Sequence, residues 1–256
     1  MDEQLRIALL IDADNAPAAK IDVVLEELAR HGIANVRRAY GNWKSPNLQK
    51  WEAALHPNAI QPMQQFALST GKNASDMAMV VDAMDLLHAG RFDAFAIVSS
   101  DADFTPLVMR LRAQNMRVFG FGEKKSPEPF VKACSTFLFL EKLDSPNADP
   151  AKPTPPQKPK TSSELRGDAY LMRLFRGAVG AVKGEDGWAF LGAVGTQIRN
   201  QASFDERNYG YSNLSGLIEA IDFFEIRRNG QLVYVREKPA RQSAASSAGP
   251  AKIPTQ

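Results

Sequence analysis

The stretch Ile7-Ala8-Leu9-Leu10-Ile11-Asp12-Ala13-Asp14-Asn15 decides how this chain folds. Its apolar run is too short for a helix and too continuous for a half-exposed strand, so it reads as a strand buried on both faces. It then stops abruptly in acids. Phe95-Ala96-Ile97-Val98-Ser99-Ser100-Asp101-Ala102-Asp103-Phe104 repeats the pattern. Pro17 and Pro106 follow, each in the first turn of a helix, where a missing N–H is harmless. These are strand-to-helix turns of an open α/β sheet, and such sheets bind ligands at the carboxyl ends of their strands.

Working outward, strands are expected at 6–12, 35–40, 59–62, 94–99, 117–121 and 136–140. They alternate with helices over about 17–31, 47–56, 75–89, 104–114 and 127–134, with Gly32 and Gly90 as helix stops. The alternation predicts an α/β domain over 1–142, with a mainly parallel sheet and helices on both faces. Pro146, Pro150, Pro153, Pro155, Pro156 and Pro159 then make 143–161 an extended linker. Over 162–238 the pattern changes to a helix at 164–182, a second to about 199 and a third from Ser212 to Ile221. Two β-rich runs, Phe224–Arg228 and Gln231–Arg236, flank Asn229-Gly230, a strong hairpin signal. Three helices and a hairpin read as a small winged-helix domain, with Trp188 and Phe190 expected in its core. The Ala/Ser/Pro-rich tail over 239–256 is expected to be disordered.

Composition narrows the chemistry. The chain has 256 residues, 44% hydrophobic and 23% charged, with a formal net charge of +2. That is an ordinary globular profile, and any nucleic-acid surface must be a local patch rather than a whole-domain field. One cysteine, Cys134, excludes an internal disulfide and multi-cysteine zinc sites, and His31, His56 and His88 are scattered. No apolar run is long enough to span a bilayer, and Met1-Asp2-Glu3-Gln4 does not open a signal peptide. A cytoplasmic protein without membrane contact is expected.

Two acidic pairs brought to one sheet edge repel. Two unit charges about 4 Å apart cost roughly 4 kcal/mol at an effective dielectric of about 20. A hard divalent cation, Mg²⁺ or Mn²⁺, converts that liability into a site. Capping of the following helices is the simplest account of Asp14 or Asn15, and of Asp103 or Thr105. It does not account for Asp12 and Asp101, which stand earlier. Asp76 joins them in the first turn of a helix whose apolar face is read as Met77, Val80, Val81, Met84 and Leu87. Complementing the helix dipole is its simplest role. Asp82 lies 240° further round and Asp85 is also off the face of Asp76, so both are expected to be solvated or to stand behind the site. Lys72 is expected either to meet a substrate phosphate or to be an ordinary surface lysine.

Ile-Asp-Ala-Asp-Asn at 11–15, Lys-Asn-Ala-Ser-Asp at 72–76 and Ser-Ser-Asp-Ala-Asp-Phe-Thr-Pro-Leu at 99–107 resemble the NYN domain family. These are PIN-like nucleases related to LabA-like bacterial proteins, and the resemblance covers about 5–142. It implies a PIN-like fold and a metal-dependent ribonuclease. Asp12, Asp76, Asp101 and Asp103 match the catalytic and metal-holding acids, and Asn15 matches the family's Asn after the first acid. It implies no role for Asp14. Residues 165–237 are similar to the OST-HTH, or LOTUS, domain, through Glu185–Trp188, Phe204–Ser212 and Leu214–Glu219. That resemblance implies RNA binding or recruitment of a partner protein. Arg207, Arg227, Arg228 and Arg236 then form an edge for phosphates, and Tyr209 and Tyr211 offer rings to unpaired bases or pack on the third helix. Two alternatives stay open: a haloacid dehalogenase-like phosphohydrolase, which also uses Asp-x-Asp after its first strand, and a non-catalytic RNA-binding adaptor.

Overall fold

The computed structural model describes residues 4–65, 73–143 and 159–238. The first domain is built on β1 (Leu5–Asp12), β2 (Gly32–Gly41), β3 (Gln61–Gln64), β4 (Ala94–Val98), β5 (Arg117–Gly122) and β6 (Thr136–Phe139). They form one sheet of order β3-β2-β1-β4-β5-β6, with every neighbouring pair parallel. Helices α1 (Ile21–Ala29), α2 (Gln49–Leu55), α3 (Ala74–His88), α4 (Thr105–Ala113) and α5 (Glu128–Ala133) connect them. Alternation along β1 explains the layering. Ile7, Leu9 and Ile11 pack with Val24 and Leu28 of α1 and Trp51 of α2. Ala8 and Leu10 face the other way, onto Met79 of α3, Leu107 and Leu111 of α4 and Phe130 of α5. The expected PIN-like α/β architecture is thus the observed one. Strand order reverses at β1, which pairs with β2 on one side and β4 on the other. That reversal is the point where open sheets leave a crevice at their carboxyl edge.

Three local expectations are corrected. Gly32 does not end a helix; it begins β2, and a Cβ there would lie 2.1 Å from the Leu5 carbonyl oxygen. Close approach of two strands selects glycine there, whereas Gly90, at φ +64°, is a true left-handed stop after α3. Pro17 precedes a single 3-10 turn, Ala18–Lys20, so α1 itself starts four residues later than expected, at Ile21. On α3 the fully buried residues are Met79 and Ala83, while Met77 and Val81 are 62% and 57% exposed. Apolar side chains surround this helix, so periodicity alone pointed it the wrong way.

The second domain contains α6 (Ser162–Gly167), α7 (Ala169–Val182), β7 (Ala189–Phe190), α8 (Leu191–Gln201), α9 (Leu214–Ile221), β8 (Phe224–Asn229) and β9 (Leu232–Glu237). The single long helix expected at 164–182 is broken at Asp168, whose carboxylate caps α7 by accepting from Leu171 N at 3.0 Å. The winged-helix reading holds: β8 and β9 form the hairpin, and β7 adds a third antiparallel strand beside β9. Phe190 is 41% exposed rather than core, because strand alternation turns it outward while Ala189 is buried. Trp188 is half-buried, with the Arg227 and Arg236 guanidiniums each 4.5 Å from its ring centroid.

The two domains touch. Arg207 donates to both carboxylate oxygens of Glu27 on α1, at 2.5 and 2.8 Å, and to Asp205 at 2.9 and 2.8 Å. Asn208 donates to the Phe137 carbonyl at 2.9 Å and accepts from Phe139 N at 3.4 Å, so it satisfies the free edge of β6. Among the described residues, no helix is long and apolar enough to cross a membrane.

Candidate active site at the carboxyl edge of the sheet

Asp12 is the last residue of β1 and is 1% exposed. A charged carboxylate survives at such depth only when its oxygens are occupied. Ser99 Oγ donates to Asp12 Oδ2 at 2.8 Å, and the Asn15 side-chain amide donates to Oδ2 at 3.1 Å and Oδ1 at 3.3 Å. Asn15 returns over the carboxylate because the backbone turns tightly, with Ala16 N bonded to the Asp12 carbonyl at 2.9 Å. Trp51 Nε1 holds that turn by donating to the Ala16 carbonyl at 2.9 Å. Burial pushes the Asp12 carboxyl above its usual range, while the bonds from Ser99 and Asn15 pull against that shift.

Ser99 is the hinge between the two acidic motifs. Its hydroxyl gives its proton to Asp12 and accepts from Asp101 N at 3.1 Å. Asp101 in turn accepts from Asp103 N at 2.9 Å and so caps the 3-10 turn Ala102–Phe104 that leads into α4. Capping therefore does belong to Asp101, contrary to expectation, and to none of Asp14, Asn15, Asp103 or Thr105.

The start of α3 spans the crevice. Ser75 Oγ donates to Asp14 at 2.9 Å, and Asn73 Nδ2 donates to Asp103 at 3.1 Å, so one helix end ties the loop after β1 to the loop after β4. Asp76 lies between them. Its pKa is raised to about 6, first by burial and then by the charges of Asp12, Asp101, Asp14 and Asp103, in that order. The positive end of α3 opposes this rise and loses. Asp12, Asp14, Asp76, Asp101 and Asp103 thus share one negative field, and Asp14 is part of it. All are hard oxygen donors, and their surplus charge fits a hard divalent cation. Among the described residues, no three such side chains close into a ready-made metal cage.

Ser75, Asn73 and Ser99 were absent from the sequence-derived candidates. Ser99 leaves a signal in the sequence, as a hydroxyl interrupting an apolar strand just ahead of Asp-x-Asp. Lys72 lies outside the described residues. Asp82 stands apart from the site, on the flank of α3, where Arg38 Nη1 reaches it at 2.5 Å and the Tyr40 hydroxyl donates to it, tying α3 to β2.

In the second domain, Arg207 is spent on Glu27 and Asp205, which removes it from any phosphate-contacting edge. Tyr209 stacks on Phe204 at 5.8 Å with Lys160 over its ring at 4.9 Å, and it packs into the domain core. Tyr211 packs there too and donates to the Lys160 carbonyl at 2.6 Å. Arg227, Arg228 and Arg236 remain 51%, 57% and 41% exposed, paired with Asp186, Glu219 and Glu225 at the surface.

An uncharacterized protein of Methanocaldococcus jannaschii is 29% identical over 121 residues, covering 46% of this chain and 47% of the relative, so the chain spans about half the length of that curated relative. A crystal structure of a protein of unknown function from Vibrio parahaemolyticus aligns with TM-score 0.45 and 18% identity, over 54% of this chain and 94% of that one. Residues 6–141 match the NYN domain and residues 171–235 match the OST-HTH/LOTUS domain. The chain belongs to the NYN domain family, and an OST-HTH/LOTUS domain follows its NYN domain.

Proposed function

We propose that this protein is a metal-dependent ribonuclease that hydrolyses RNA phosphodiester bonds, with Mg²⁺ or Mn²⁺ held by Asp12, Asp76, Asp101 and Asp103. The observation that carries the proposal is the convergence at the sheet's switch point of Asp12 at the end of β1, Asp101 and Asp103 after β4 and Asp76 in the first turn of α3, linked through Ser99, Asn73 and Ser75. A bound divalent ion supplies charge for the scissile phosphate and a water nucleophile ionised near neutral pH. The chain's own residues do the positioning. Asn15 and Ser99 fix the Asp12 carboxylate, Asn73 fixes Asp103, and Ser75 fixes Asp14. Burial and the neighbouring carboxylates raise the Asp76 pKa to about 6, and a bound cation would favour its ionised form. The OST-HTH/LOTUS domain is proposed to bind RNA or recruit a partner through the exposed Arg227, Arg228 and Arg236.

The phosphohydrolase alternative needs Asp12 as an attacking group. At 1% exposure, with both oxygens accepting hydrogen bonds, Asp12 is poorly disposed to attack a substrate, which supports the metal-holding reading instead. Incubation with a panel of single-stranded RNA, duplex RNA, DNA and p-nitrophenyl phosphate, with and without Mg²⁺ or Mn²⁺, tests the reading. Metal-dependent turnover of RNA alone is expected. Turnover of the small ester would favour the phosphohydrolase, and RNA binding without turnover the adaptor.

A further inference from the structure

A second charged site lies between the domains. A cleft of about 550 Å³ is lined on the NYN side by Arg112, Arg117 and Lys132, and on the other side by Arg199 and Asn200 at the end of α8. Among the described residues, no carboxylate lines it. Arg117 and Arg199, one from each domain, are exposed and form no ion pair among the described residues. Arg112 gives one nitrogen to the Ala133 carbonyl at 2.8 Å, and Lys132 meets Glu128 at 2.5 Å. The hydroxyl of Ser203, also in the wall, is buried with no hydrogen-bond partner among the described residues. Beside the cleft, the Lys132 ammonium sits 5.3 Å from the ring centroid of Tyr170, which is 38% exposed.

The placement separates this cleft from the acids. Arg117 opens β5 and Thr136 opens β6, so the cleft is at the amino edge of a sheet whose carboxyl edge carries the acidic cluster. The six residues of β5 put about 16–20 Å between those edges. A surplus of cations, of which Lys132 alone is paired with a carboxylate among the described residues, with an exposed aromatic ring beside them, suits a strand whose phosphates are neutralised and whose bases stack.

We infer that this interdomain cleft binds the phosphate backbone of single-stranded RNA, as an anchoring site separate from the acidic cluster. The inference rests on the ribonuclease reading for its ligand and on the docked domains for its shape. The test is fluorescence anisotropy of a labelled oligouridylate with the full chain in EDTA, titrated with salt. The variants are R117E/R199E, the milder R117Q/R199Q and a control, K50E, on the exposed side of α2. Circular dichroism and melting establish that each is folded. Losing two phosphate contacts should flatten the log–log salt slope by about 1.4 and weaken binding roughly tenfold, with K50E close to wild type. Unchanged slope and affinity in both double variants, with RNA still cleaved by the wild type, overturn the cleft and leave the ribonuclease intact. If AMP binds the wild type and not R117E/R199E while RNA binding is unaltered, the cleft takes small nucleotides and the inference fails. A wild type that neither binds nor cleaves RNA overturns both readings.

Discussion

Asp101 combines two jobs that the sequence kept apart. It is a charged member of the acidic field, and it caps the turn into α4 through Asp103 N. Asn caps about as well as Asp, so Asp101→Asn should keep the turn while removing one negative charge. Cleavage should fall at least about 100-fold, while the metal-free protein should melt at the same temperature or higher. Mg²⁺ should raise the melting temperature of the wild type more than that of the variant, since a ligand that binds only the native state stabilises it by mass action. A variant that melts far below the metal-free wild type would show the carboxylate to be structural. Glu27 makes the converse case. Burial would raise its pKa, yet hydrogen bonds from His31 and Arg207 and the charges of Arg207 and Arg30 bring it down to about 2. A depressed carboxyl stabilises the folded state above its ordinary value of 4.5, and that stability drains away as pH falls toward 2. Thermal melts from pH 6 to pH 2 should therefore show a steeper loss below pH 4.5 in the wild type than in Glu27→Gln. Equal slopes would detach Glu27 from stability.

Elements were legible where composition left one choice. β1 and β4 are continuous apolar runs ending in acids, and both formed where expected, because such runs fit only a strand covered on two faces. The orientation of α3 was not legible, since Met77, Met79, Val80, Val81, Ala83 and Met84 offer apolar surface all round and only tertiary contact with β1 and β2 decides which are buried. Asp12, Asp76, Asp101 and Asp103 could be listed from strand ends and a helix start. The hydroxyl and amide network through Ser75, Ser99 and Asn73 could not, because it depends on loops brought together from three parts of the chain. Gly32 carries an element-scale test. A methyl group at Gly32→Ala collides with backbone, which cannot rotate away as a side chain would, so β1 and β2 must separate. A loss of about 3 kcal/mol or more is expected in urea unfolding, at the upper end of overpacking costs. A change below about 1 kcal/mol would mean the strand pair is more pliable than its register implies.

For the whole molecule, the separate hydrophobic clusters of the two domains predict that fragments 1–142 and 162–238 each fold alone, as dispersed proton spectra would show and a collapsed spectrum from either would refute. Arg207 and Asn208 hydrogen-bond the two domains together, beside the Lys132–Tyr170 contact. Arg207→Ala should weaken it by about 2 kcal/mol, below the ~3–5 kcal/mol of a fully buried pair, because Arg207 is 23% exposed and His31 and Arg30 still serve Glu27. Comparing urea unfolding of the full chain with that of the isolated fragments checks the figure. Neither residue of the Glu27–Arg207 pair hints at the other in the sequence, since no local periodicity links residues 180 positions apart.

That separation also has a meaning in time. During synthesis the amino-terminal sheet can close once β6 has left the ribosome, but Arg207 has not yet been made. At about 5–20 residues per second, the interval between Lys142 and Arg207 lasts roughly 3–13 s. Throughout it, the nascent sheet presents the Glu27 carboxylate and the open edge of β6 without their later partners, a brief window in which another chain's strand or cation can occupy them first.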